Sequence, residues 1–219
     1  MVINKYLAEL LGTLILVGLG SMGILATIEA GGGGPATLVV IAFAFGLALL
    51  AGIWAVGHVS GAHFNPAVTL SMLLDGRISF ADAIGYWVAQ FAGATVGSLI
   101  ILAVSGERIA VAATATTYSD LTTAIVVEIM LTAVFVWTIL AVTRRGANHA
   151  AAAIALTLVG VHLAGIPFSG SSVNPARSFG PAVVGDVFTS QLGVYIWAPL
   201  VGAVVAWGLY RLFPVGTDA

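Results

Sequence analysis

Apolar residues in this chain come in long unbroken runs. The first extends from about Tyr6 to Thr27, and five more follow at roughly Leu38–Gly57, Gly85–Val104, Leu121–Val142, Ala150–Pro167 and Gly193–Phe213. As an α-helix rising about 1.5 Å per residue, each can cross ~30 Å of hydrocarbon. A helix is required because backbone in lipid must pair its polar groups within its own segment, and the alternation of a membrane barrel is absent. Turn formers separate the runs: Gly31 to Gly34 with Pro35, Asp75-Gly76, Ser105-Gly106 and Arg145-Gly146. The pattern predicts an all-α membrane protein with six transmembrane helices.

Two shorter segments break this pattern. Asn65-Pro66-Ala67 and Asn174-Pro175-Ala176 each follow a long run and open a further apolar stretch. Asn at an N-cap with Pro at the first helical position is an ordinary helix start. Pro66–Asp75 is ten residues long, or ~15 Å of helix, and Pro175–Asp186 is only a little longer. Neither spans alone, but two half-helices entering from opposite sides and meeting at their N-termini would act as a seventh span. Irregular backbone at that depth is tolerated only where it is buried or lines a wet cavity.

The two short segments belong to a duplication. Glu9 to Thr13 (Glu-Leu-Leu-Gly-Thr) matches Glu128 to Thr132 (Glu-Ile-Met-Leu-Thr), and Tyr86 and Tyr195 each follow their Asn by 21 residues. Gly93 and Gly202 each follow theirs by 28. Each half holds three spans, an odd number, so the halves lie in the membrane with opposite orientation. The expected architecture is six transmembrane helices plus two re-entrant half-helices in an inverted repeat.

Composition agrees with membrane burial. Of 219 residues, 60% are hydrophobic and 7% charged, against about 25% charged in a soluble domain. A net charge of −2 without a basic cluster argues against nucleic acid as a partner. There is no cysteine, which excludes disulfides and thiol chemistry. The four histidines, His58, His63, His149 and His162, show no metalloprotease spacing. No enzymatic activity, cofactor or metal is expected. Lys5, Arg77, Arg144, Arg145 and Arg211 fall on one side of a six-span chain, and Arg108 on the other together with Arg177 of the second short segment, which predicts that both termini are cytoplasmic.

The caps suggest a chemistry. If the side-chain oxygens of Asn65 and Asn174 accept from their own helix starts, the amide NH₂ groups remain as donors to a bore. Two helix N-termini add about +0.5 charge each at the same place. Neutral water passes such a point, whereas cations and protons meet a barrier.

The segments Gly57 to Ala67 (Gly-His-Val-Ser-Gly-Ala-His-Phe-Asn-Pro-Ala) and Ser172 to Pro181 (Ser-Val-Asn-Pro-Ala-Arg-Ser-Phe-Gly-Pro) resemble the two signature loops of the aquaporin, or major intrinsic protein, family. The resemblance covers the whole chain, as one domain over 1–219 with repeats at about 1–110 and 118–219. It implies a passive channel in the cell membrane, with water as the permeant and a homotetramer with one pore per subunit. It implies a selectivity filter of Phe45, His162, Ser171 and Arg177, and a ladder of pore-facing carbonyls at Gly61, Ala62, His63, Gly170, Ser171 and Ser172. Glycerol-conducting relatives carry a small or apolar residue in place of His162 and an Asp after the Arg, where this chain has Ser178.

Glu9 and Glu128 are the carboxylates inside the spans. An intramembrane acid is a functional candidate, a proton relay included. Their duplicated positions, and the resemblance, point instead to bracing the re-entrant loops as structural support. His58 either braces similarly or lines the mouth. Three functions stay open at this stage: a water channel, a channel of the same fold for glycerol or another small neutral solute, and an ion-coupled transporter, which would need a midplane acid.

Overall fold

The computed structural model describes residues 2–106, 112, 120–144, 146, 149–187 and 191–213. Among them are eight α-helices and no strand: α1 (Val2–Glu29), α2 (Pro35–Ser60), α3 (Pro66–Leu74), α4 (Phe80–Ser105), α5 (Leu121–Arg144), α6 (Ala150–Ser169), α7 (Pro175–Val184) and α8 (Leu192–Leu212). Six are long and apolar enough to cross a membrane. Arg108 and Arg145, and the repeat limits at 110 and 118, lie outside the described residues.

Local chemistry sets the ends. Pro35 opens α2 at its first turn. Gly61 and Gly170 close α2 and α6 in the left-handed region, at φ 86° and 78°, and their N–H groups donate to the carbonyls of Gly57 and Ile166. The third long helix starts at Phe80, a turn before the apolar run at Gly85. Ser79 caps it by accepting from the Asp82 N–H, and Asp82 is itself held by Lys5 Nζ at 2.6 Å and Tyr6 Oη at 2.9 Å.

The repeat is visible in the packing. α1 packs on α2 and α4, and α5 packs on α6 and α8. A Cβ placed on Gly93 would lie 2.2 Å from the Leu10 carbonyl oxygen, and one on Gly202 would lie 2.6 Å from that of Ile129. These are matching positions of the two halves, where one helix backbone rests directly on another as small residues allow. Polarity is turned inward. Trp54, Val88, Val104, Val126, Met130, Leu156 and Val204 are exposed, while Glu9, Gln90, Glu128 and Arg177 are buried. An apolar exterior this extensive marks a lipid-facing surface. The chain is a multi-pass membrane protein.

Candidate permeation site

The half-helices α3 and α7 meet N-terminus to N-terminus. Asn65 Oδ1 accepts from the Ala67 N–H at 2.8 Å, and Asn174 Oδ1 accepts from those of Ala176 at 3.0 Å and Arg177 at 3.3 Å. The amide nitrogens are not wholly free. Asn65 Nδ2 donates to the Val173 carbonyl at 2.8 Å, and Asn174 Nδ2 donates to the Phe64 carbonyl at 3.0 Å. One N–H of each side chain therefore joins the two loops, and the other remains. Both asparagines line a cavity.

The preceding loops have the same unusual backbone. Ala62 and Phe64 take φ of 55° and 49°, and Ser171 and Val173 take 49° and 47°. Residues with side chains avoid this region, β-branched valine most of all, so the surroundings must hold them there. Glu9 accepts from the His63 and Phe64 N–H groups, from Ser60 Oγ and from Gln90 Nε2, at 2.7 to 2.9 Å. Glu128 accepts from the Ser172 and Val173 N–H groups and from Ser169 Oγ, at 2.7 to 2.8 Å. Phe64 and Val173 are thus fixed at both ends of the residue, N–H to a carboxylate and carbonyl to the opposite asparagine. Tyr86 and Tyr195 add a bond from Oη to the carbonyls of Ser60 and Ser169, each at 2.7 Å. No donor reaches the carbonyls of Gly61, Ala62, His63, Gly170, Ser171 or Ser172 among the described residues.

Two cavities lie on either side of the asparagine pair and share Leu49, His63 and Phe135 in their walls. The one on the side away from the termini has a volume of about 20 Å³ and includes Phe45, His162 and Arg177. The one on the terminal side has about 110 Å³ and includes Gly61, Met72, Ile139, Thr143 and Ile154.

Phe45, His162 and Arg177 form one cluster. The Phe45 and His162 rings meet edge to face at 5.0 Å, and the Arg177 guanidinium carbon lies 4.7 Å from the centre of the Phe45 ring. Arg177 is 5% exposed and donates from Nη1 to the Ala112 carbonyl at 2.9 Å. Arg177 Nε and His162 Nε2 have no partner among the described residues. Buried polar atoms are normally bonded, so these two are open to a polar partner that the described residues do not supply. Ser171 stands behind the cluster. Its hydroxyl donates to the Val161 carbonyl at 3.2 Å, lies 3.3 Å from His162 Nδ1, and does not border the smaller cavity. His58 is exposed at the end of α2 and borders neither cavity.

Several contributors did not emerge from the sequence: Ser60, Ser169 and Gln90 as partners of the carboxylates, the Ala112 carbonyl, and the apolar wall of Leu16, Leu49, Phe135 and Leu158. A signal existed for the first two, since Ser60-Gly61 and Ser169-Gly170 stand at equal distances from their asparagines.

A family model described as Major intrinsic protein matches residues 1–210. The chain belongs to the major intrinsic protein family. Among major intrinsic proteins it is 36% identical to "Aquaporin Z" of Photorhabdus laumondii over 96% of this chain and 97% of that protein. It is 41% identical to "Glycerol uptake facilitator protein-like 6" of Lactiplantibacillus plantarum over 93% and 94%. The solved structure of the aquaglyceroporin from Plasmodium falciparum superimposes with a TM-score of 0.86, at 25% identity, over 96% of both chains. This family is one of channels, not enzymes. Its relatives named for water and for glycerol match about equally well.

Proposed function

We propose that this major intrinsic protein is a passive water channel that excludes protons and ions. The observation that carries this reading is the smaller cavity. About 20 Å³ framed by Phe45, His162 and Arg177 is room for about one water, and a three-carbon polyol needs several times more. Water entering it gives its oxygen to Arg177 Nε and meets His162 Nε2, the two atoms of this cluster without a partner among the described residues. It then passes the remaining N–H groups of Asn65 and Asn174. Both donate to its oxygen, so its own hydrogens point away from both and the chain of hydrogen bonds reverses there. The free carbonyls of Gly61, Ala62, His63, Gly170, Ser171 and Ser172 supply acceptors along one wall, opposite the apolar side chains. The fixed charge of Arg177 and the two helix N-termini oppose cations and hydronium.

The selectivity filter in this reading is Phe45, His162 and Arg177, with Ser171 contributing its backbone and bracing the His162 ring. Glu9 and Glu128 serve as structural supports, since all of their bonds go to loops and neighbouring side chains. The basic residues favour cytoplasmic termini, in the cell membrane, and the family resemblance favours a homotetramer. A glycerol facilitator is the second reading, supported by the likeness to the Lactiplantibacillus protein.

Stopped-flow light scattering on proteoliposomes decides between them. Under a sucrose gradient, rapid shrinkage with a low activation energy is expected, and under a glycerol gradient little re-swelling. Rapid glycerol entry would select the second reading. Folded protein that neither shrinks under sucrose nor re-swells under glycerol faster than empty vesicles would sink both.

A further inference from the structure

We propose that Gly20, on α1 and outside the set of bore-lining residues, sets the width of the narrow constriction by giving the Phe45 ring its seat. This rests on the water-channel reading above and names a further determinant of its selectivity.

One neighbour of the Phe45 ring is Gly20: a Cβ built there would lie 2.2, 2.3 and 2.6 Å from Phe45 Cε1, Cδ1 and Cζ. The ring rests against the glycine backbone. The ring's other neighbours are the His162 ring at 5.0 Å and the Arg177 guanidinium at 4.7 Å. Carbon atoms in contact sit about 3.5–4.0 Å apart, so a methyl group at position 20 demands that the ring retreat by about 1–1.5 Å. Parting α1 from α2 does not offer an easy relief. One turn along the same seam, Gly23 stands as close to Ala44, with a built Cβ 2.3 Å from the Ala44 methyl. The ring therefore moves toward His162 and Arg177, into a space of about 20 Å³.

The other half of the molecule supplies an internal comparison. In the repeat register, Glu9 matching Glu128 carries Gly20 onto Ile139, and Asn65 matching Asn174 carries Phe45 onto Ile154. Ile139 and Ile154 both line the larger cavity on the terminal side, with about 110 Å³. The same pair of positions thus holds Gly with Phe at the narrow end and Ile with Ile at the wide end. A branched side chain on the first helix leaves no seat for a ring on the second. The absent side chain at Gly20 lets an aromatic ring stand in the filter without closing it.

The test compares Gly20→Ala, Gly18→Ala, Phe45→Ala and the double variant Gly20→Ala/Phe45→Ala in proteoliposomes, with osmotic water permeability normalised to incorporated protein. Gly18 has nothing within 4 Å of a built Cβ, so Gly18→Ala should conduct as the wild type does. Gly20→Ala should lose water permeability by about tenfold, because a ring shift of an ångström is large against a one-water bore. In the Phe45→Ala background the second change should have no further effect. If Gly20→Ala conducts like the wild type, the inference is overturned. It is equally overturned if the double variant conducts clearly less than Phe45→Ala, since residue 20 would then act through something other than the ring. Should Gly20→Ala fail to assemble, recovery of assembly in the double variant, with the flux of Phe45→Ala, supports the inference, and continued failure overturns it. A wild type that conducts no water counts against the function proposed above. A conducting wild type with an equally conducting Gly20→Ala counts against this inference alone.

Discussion

Asn65 and Asn174 clasp one another's loops: each donates to the carbonyl of the residue just before the other, at 2.8 and 3.0 Å. The sequence suggests fully free amide groups, and the structure leaves one N–H of each. The reason is physical. The carbonyls of Phe64 and Val173 are buried, and a buried carbonyl without a donor is costly. Each asparagine therefore has two tasks in the fold, its oxygen capping its own helix and one N–H clasping the opposite loop, and the channel proposed above gives the other N–H a third, facing the bore.

Asn65→Asp separates these tasks. Aspartate keeps the cap oxygen for the Ala67 N–H and loses the donor to Val173. The unpaired carbonyl should lower stability by about 1–3 kcal/mol, read as a lower thermal midpoint in detergent. The added negative charge should also raise cation leak, read with a pH-sensitive dye in vesicles. An unchanged midpoint would mean that the clasp contributes nothing.

His162→Gly should raise glycerol flux relative to water. It removes the ring that faces Phe45 at 5.0 Å and leaves a gap where the bore holds about one water. The measured quantity is the ratio of glycerol to water permeability in the same vesicles. A constant ratio would show that the width is set elsewhere.

Arg177→Val should admit protons or small cations. It removes the fixed charge beside Phe45 and leaves the Ala112 carbonyl without its donor, while the helix N-termini at Asn65 and Asn174 remain. Proton flux under a pH gradient should rise while water flux persists. Unaltered proton flux would assign the whole barrier to the asparagine pair.

What could be read from the chain follows from the range of the forces involved. The six spans and the two half-helices were legible, because hydropathy, Pro at a helix start and Gly at a helix end are local signals. The start of α4 at Phe80 also has a local signal, the Ser79 cap that accepts from the Asp82 N–H, but it lies ahead of the apolar run that begins at Gly85, and the bonds from Lys5 and Tyr6 to Asp82 come from far along the chain. Within the site, the duplicated positions pointed to Asn65, Asn174, Glu9 and Glu128. The direction of the Ser171 hydroxyl could not be read, because it follows from a positive φ in a residue that is not glycine. That backbone is held by Glu128 from another helix, and nothing in the neighbouring residues announces it. Gln90 was hidden for the same reason, being polar in an apolar run and explained only by Glu9 and Thr69 across the fold.

The absence of cysteine gives the last prediction. Mercurials block a channel by forming a sulfur–mercury bond beside the water path, with loss of the thiol proton. The wild type has no thiol, so its water flux should resist them. Two single cysteines then probe the wall. Leu158 borders the smaller cavity together with Phe45, Asn65 and Phe135, and Leu158→Cys should become sensitive, with flux restored by an excess of reducing thiol. Ser171 is close to cysteine in size, but its hydroxyl points at the Val161 carbonyl behind His162. Ser171→Cys should fold and conduct, and should be blocked more slowly than Leu158→Cys, because the reagent must displace the His162 ring to reach it. Inhibition of the wild type would reveal an effect on the membrane itself. If Ser171→Cys is blocked as fast as Leu158→Cys, the side chain at position 171 faces the water path directly, and the bracing role assigned to Ser171 fails.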